Sequence, residues 1–115
     1  MSAPIVFFDI AGPDEARLRA FYGAVFDWSC GTPGNFVPGN APDLQGHIRQ
    51  DPAEKVIYVG VPDVSAALQR IVEAGGEIDV PRYEVPGVVV LGLFRDPAGN
   101  RMGLVEMDGE KPVVP

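Results

Sequence analysis

The sequence is short of the residues that carry most enzymatic and cross-linking chemistry: 115 residues include one cysteine, one histidine and one tryptophan. A lone cysteine, Cys30, excludes an internal disulfide, and with no base near it in sequence it reads as a buried or incidental thiol. There is no Ser/His/Asp set, no phosphate-cradling glycine loop and no zinc-spaced cysteine cluster, so nucleophilic catalysis has no candidate. Basic residues are scarce as well: nine Lys and Arg stand against 16 Asp and Glu, for a net charge of −7 and a pI near 4.5. With no basic stripe, nucleic acid and anionic membrane surfaces are not expected as partners. No apolar run approaches the roughly 20 residues of a membrane span or the shape of a signal peptide, and a cytoplasmic location is the expectation.

What is present is a core-forming composition, 46% hydrophobic, enough for one domain over residues 1–115. Fourteen glycines and 12 prolines punctuate apolar segments rather than forming a low-complexity tract. Ile5 to Ile10 alternates as a strand, with Val6, Phe8 and Ile10 as its core face and Phe7 and Asp9 on the other. Gly12-Pro13-Asp14-Glu15 opens a helix whose apolar stripe is Leu18, Phe21, Tyr22 and Val25. Short strands are expected over 26–30, 35–38 and 44–49. Val56 to Val61 then begins the pattern again. Asp63 is a good N-cap, Val64, Ala67, Leu68, Ile71 and Val72 recur at helical spacing, and Gly75-Gly76 ends the helix. Strands follow over 77–80, 88–94 and 101–107, and residues 108–115 read as a loose tail.

The order strand, helix, three strands thus occurs twice, as a module over about residues 3–50 and another over about 55–107. Matching the helices by their apolar faces sets Leu18 opposite Leu68 and Phe21 opposite Ile71. The same comparison pairs Phe7 with Tyr58, Gly46 with Gly103, His47 with Leu104 and Arg49 with Glu106. Asp96-Pro97-Ala98-Gly99 has the chemistry of a three-residue hairpin loop with a left-handed glycine. On the strand after it Met102, Leu104 and Glu106 share one face. A carboxylate among apolar neighbours either reaches water at the strand end or is paired, hydrogen-bonded or metal-bound.

The segments Ala20-Phe21-Tyr22-Gly23-Ala24-Val25-Phe26-Asp27-Trp28, Tyr58-Val59-Gly60-Val61-Pro62-Asp63-Val64 with Ala74-Gly75-Gly76, and Asp96-Pro97-Ala98-Gly99-Asn100 with Gly103-Leu104-Val105-Glu106 resemble the vicinal oxygen chelate superfamily. That superfamily includes glyoxalases, bleomycin-resistance proteins and extradiol dioxygenases. The resemblance implies an α+β fold of two βαβββ modules with curled mixed sheets forming a cleft, often completed by pairing two chains, so a homodimer is expected. Enzymes of the superfamily set metal ligands on the first and last strand of each module and use the ion as a Lewis acid. Glu106 matches one such position. Phe7, Tyr58 and Arg49 occupy the others, and neither a phenyl ring nor a guanidinium ligates a cation. His47, with Asp9 as a more distant third group, is the one possible completion of a metal set with Glu106.

The expected function is therefore glyoxalase/bleomycin-resistance-like binding of a small organic molecule in a metal-free cleft, with no cofactor. Phe7, Asp9, His47, Arg49, Tyr58, Met102, Leu104 and Glu106 would line it, with Arg49 and Glu106 paired or holding complementary groups of the ligand. The alternative is a divalent-metal-dependent lyase, isomerase or dioxygenase of the same superfamily. A third reading is a degenerate module kept for partner binding.

Overall fold

The computed structural model describes residues 2–30, 35–37 and 44–115. The elements in chain order are β1 (Ile5–Gly12), α1 (Glu15–Phe26), β2 (Ser29–Cys30), β3 (Asn35–Val37), β4 (Gln45–Gln50), β5 (Glu54–Val61), α2 (Val64–Glu73), β6 (Glu77–Val85), β7 (Val89–Arg95), β8 (Arg101–Asp108) and β9 (Lys111–Pro112). Two compact units divide the chain, Val6–Ile57 and Tyr58–Pro115 with residues 1–5. The third strand expected at 35–38 is present to Val37, and Pro38 and the side chain of Cys30 lie outside what is described. No helix among the described residues is long and apolar enough to cross a membrane.

Both units use one topology. In Val6–Ile57, β1 lies parallel to β4, which pairs antiparallel with β3 and β3 with β2. In the other unit β5 lies parallel to β8, which pairs antiparallel with β7 and β7 with β6. The strand order first–fourth–third–second is the βαβββ arrangement expected twice over. Connection chemistry explains each join. Asp14 accepts the Arg17 amide at 3.1 Å and Asp63 the Ala66 amide at 3.0 Å, so both helices start on a carboxylate cap. Between β7 and β8, Gly99 takes a φ of 91°, and the Asp96 carboxylate accepts the Ala98 and Asn100 amides at 2.9 Å each.

Packing differs sharply between the units. Against α2 lies an apolar core of Val61, Val64, Ala67, Leu68 and Leu104, flanked by Val59, Ile71 and Phe94. The helices align by their caps, Asp14 with Asp63, because the Leu18 and Ala67 amides donate to those two carbonyls. Leu18 is therefore the counterpart of Ala67, one residue off the match made by apolar faces, and Glu15 and Arg19 stand where Val64 and Leu68 stand in α2. Those two form an ion pair at 3.1 Å, and Arg19 donates to the Ile48 carbonyl at 2.7 Å.

The α1 stripe is consequently not a core face. Phe21 and Val25 are 54% and 55% exposed, and α1 has no fully buried residue. Its rings pack on one another instead, Tyr22 stacking on Trp28 at 5.3 Å and 11°. On β1 the expected core set Val6, Phe8 and Ile10 is only half-buried, whereas Asp9 and Ala11 on the opposite face are buried. The segment read as a loose tail is tied down: β9 pairs with β8, the Val113 amide donates to Glu106 at 2.9 Å, and the Gly87 amide donates to Pro115. Strand β6 also runs past Val80 through Pro81 to Val85, with register shifts on either side of Val80 that accommodate the proline.

The asymmetry has a measurable consequence. Leu68→Ala removes a buried leucine from the α2 core and should cost about 2–5 kcal/mol in urea unfolding. Arg19→Ala, at the equivalent position of α1, should cost about 1–2 kcal/mol, the value of its hydrogen bonds.

Candidate functional site

In each unit an aromatic ring on the first strand lies directly beside a glycine on the last strand. Phe8 pairs with Gly46 and Tyr58 with Gly103 in the two parallel ladders. A Cβ on Gly46 would overlap the Phe8 ring, and one on Gly103 the Tyr58 ring. The absence of a side chain on the last strand is what allows the ring to lie across it. The counterpart of Tyr58 is therefore Phe8, and the pairing with Phe7 is off by one residue. The reason is the pleat: a ring and the glycine it covers must project to the same face. Gly46 with Gly103, His47 with Leu104 and Arg49 with Glu106 keep their expected correspondence in this register.

Strand parity separates the eight residues expected to line one cleft. Val59 and Leu104 pair across β5 and β8 and pack on α2, so Met102, Leu104 and Glu106 share the α2 side of their sheet. Tyr58 projects to the opposite face. In the other unit Phe7, Asp9, His47 and Arg49 lie on one face, and Phe8 on the other. No single wall contains Tyr58, Met102, Leu104 and Glu106 together.

The residues facing α1 form a charged network. Asp9, 5% exposed, lies 3.3 Å from Nε of Arg49. Arg49 also holds Asp51 at 2.7 Å and Glu54 at 2.6 Å. Burial works against its charge, but the carboxylates of Glu54, Asp51 and Asp9 prevail and keep the guanidinium protonated beyond its ordinary range. His47, beside Asp9 in the ladder, is pushed below its ordinary value by burial and then by the Arg19 charge, against opposing pulls from Glu15 and Asp9.

Glu106 is engaged differently from either expectation. Arg82 donates to it from Nε at 3.2 Å and from Nη2 at 2.9 Å, and the Val64 amide at the start of α2 donates at 3.1 Å. Its side chain is 13% exposed. The carboxyl sits below its ordinary value, through Arg82 foremost and the Val64 amide next, with desolvation opposing. Arg49 and Glu106 each have ionic partners within their own unit, Asp9, Asp51 and Glu54 for the first and Arg82 for the second. Arg82 was missed because the strand was read as ending at Val80, and Phe8 because matching the helices by apolar faces set Leu18 on Leu68 instead of Ala67, a one-residue shift that carries back to β1. The glycine pair was the available signal for both rings.

The metal set of Glu106 and His47 does not fit these surroundings. A guanidinium fork and a helix amide occupy the Glu106 carboxylate, and Arg19 and Arg49 both act electrostatically on His47. Among the described residues no group of three His, Cys, Asp or Glu could hold an ion, and two donors fall short of a divalent site. The strands on which the resemblance expects ligands present rings and glycines instead.

No family model matches the sequence. Among curated proteins it is similar to CFP32 of Mycobacterium tuberculosis, named as a glyoxylase, at 26% identity over 113 residues, covering 84% of this chain and 42% of that protein. It is also 26% identical over 118 residues to the anthracycline biosynthesis protein DnrV of Streptomyces peucetius, covering 81% and 43%. The chain thus spans about two fifths of the length of these relatives. A glyoxalase/bleomycin resistance protein/dioxygenase superfamily member from Vibrio splendidus shares the fold, with a TM-score of 0.64 at 11% identity, covering 92% of this chain and all of that one.

Two outcomes follow from this geometry. Gly103→Ala should destabilise by about 1–3 kcal/mol through overpacking. The loss should shrink when Tyr58→Leu is added, a coupling readable in a double-mutant cycle of chemical denaturation. A His whose folded pKa is depressed gives stability that is complete above its unfolded value of about 6.5 and declines as pH falls through that value. Glu106, whose ordinary value is 4.5, acts only at lower pH. Unfolding free energy should therefore fall on going from pH 7 to pH 5, and His47→Gln should flatten that slope.

Proposed function

We infer that this glyoxalase/bleomycin-resistance-like chain, which carries the vicinal oxygen chelate fold, holds a small organic molecule by aromatic contact and without a divalent metal. The observation that carries the reading is the ring-on-glycine pair in each unit, Tyr58 on Gly103 and Phe8 on Gly46. These stand on the first and last strands, where the superfamily's metalloenzymes set their ligands. The Phe8 ring has no lone pair for an ion, and the Tyr58 phenol, protonated at neutral pH and 9% exposed, is a poorer divalent ligand than a histidine or carboxylate.

The charged groups support the same reading. Arg49 already serves three carboxylates and Arg82 serves Glu106, so neither is a ready clamp for an anionic ligand. Recognition then falls to apolar and aromatic surface, which favours a planar, largely uncharged molecule. The relatives' names are compatible with small-molecule chemistry, and the organic ligand assigned here to this chain rests on its own residues.

The test is elemental analysis after incubation with Ni²⁺, Mn²⁺, Zn²⁺ or Fe²⁺ and dialysis, paired with a thermal-shift screen of planar aromatic compounds. The reading expects no stoichiometric metal and a hit that raises the Tm by several degrees, as about 3 kcal/mol of linkage at a hundredfold excess over Kd would produce. Tyr58→Leu should lose that shift. Stoichiometric metal removed by Glu106→Ala would overturn the reading in favour of a metal-dependent lyase, isomerase or dioxygenase.

A further inference from the structure

An open hollow lies beneath α2, on the face of the β5–β8 sheet opposite Tyr58. Its helical wall is Ala67, Arg70 and Ile71 of α2 with the C-cap residue Ala74, at three- and four-residue spacing on one side of the helix. Small alanines at both ends of the wall leave room that longer side chains would fill. Val59, Leu104 and Phe94 lie opposite, and together with Val61 these residues line an open hollow of about 290 Å³. That is close to the lower bound of about 300 Å³ for small-molecule sites.

The lining is apolar apart from Arg70, which reaches solvent. Arg19, Arg49, Arg82 and Arg101 each hold a carboxylate. Arg70 has no ion pair among the described residues, although the chain carries 16 acidic side chains. An apolar hollow with one uncommitted cation selects for one negative charge on a greasy body. More charge would be desolvated without a partner, and a neutral apolar molecule would leave the guanidinium unused.

We propose that this pocket binds an organic monocarboxylate with a short apolar body, its carboxylate on Arg70 and its chain against Ile71, Phe94 and Leu104. The site is independent of the aromatic reading above, because Leu104 and Tyr58 project to opposite faces of the sheet.

Methyl-detected NMR with octanoate as probe and octanamide as its neutral analogue tests the assignment. Octanoate should shift the methyls of Val59, Ile71 and Leu104, and Arg70→Gln should weaken it about tenfold or more, the value of one charge-assisted hydrogen bond. Octanamide should bind wild type with the weakness of octanoate on Arg70→Gln. Ala74→Leu, at the exposed C-cap of α2 on the rim of the hollow, should abolish binding while leaving the circular dichroism spectrum and Tm in place. Unshifted methyls at saturating octanoate, or equal affinity for wild type and Arg70→Gln, would overturn the proposal. Shifts confined to residues around Tyr58 would overturn it too, without touching the aromatic reading.

Discussion

The pairing of first strand with last strand, in parallel and with a ring across a glycine, is the constraint on which each half of this chain depends. A parallel partner needs a crossover, and α1 with β2 and β3, or α2 with β6 and β7, supplies it. Once Phe8 is seated on Gly46 and Tyr58 on Gly103, strand parity fixes the direction of every neighbouring side chain. Asp9, His47 and Arg49 are thereby committed to one face, and Leu104 and Glu106 to the corresponding face of the other unit.

The two halves then spend that common face differently. In one it carries valine, leucine and alanine under α2; in the other it carries Glu15, Arg19, Asp9, His47 and Arg49 in mutual contact or electrostatic reach. A buried ionic network contributes less net stability than an apolar core of equal volume, because desolvation offsets its Coulombic gain. It makes packing dependent on protonation state, and it leaves the apolar stripe of α1 facing outward. Glu106 belongs to the same logic: with Arg82 and the Val64 amide it fastens the last strand to β6 and to the positive end of α2.

Much of this was legible in the sequence. Alternation and capping chemistry located both helices and the strands, and the repeat of strand, helix and three strands indicated the fold. Asp96-Pro97-Ala98-Gly99 foretold its hairpin because turn chemistry is local. Side-chain orientation was harder to read. The slip between Phe7 and Phe8 is the single residue by which the helix match on apolar faces misses the match on caps, yet it reverses the face on which a ring lies. The apolar stripe of α1 read as core because helical periodicity reports amphipathicity without saying what lies beneath. Glu106 drew attention as an isolated carboxylate, while its partner Arg82 lay 24 residues away on a strand that outran its proline. Non-local pairing of that kind has no periodic signature.

The most direct measurement is paramagnetic: Mn²⁺ titrated into uniformly ¹³C-labelled protein, with the Glu106 carboxyl and His47 ring resonances followed. If Glu106 is a structural carboxylate held by Arg82 and the Val64 amide, both signals should broaden no more than surface carboxylates such as Glu73 or Glu110. Selective broadening of Glu106 and His47 at stoichiometric Mn²⁺ would contradict the account and place a metal where rings and guanidinium groups are argued to have replaced it.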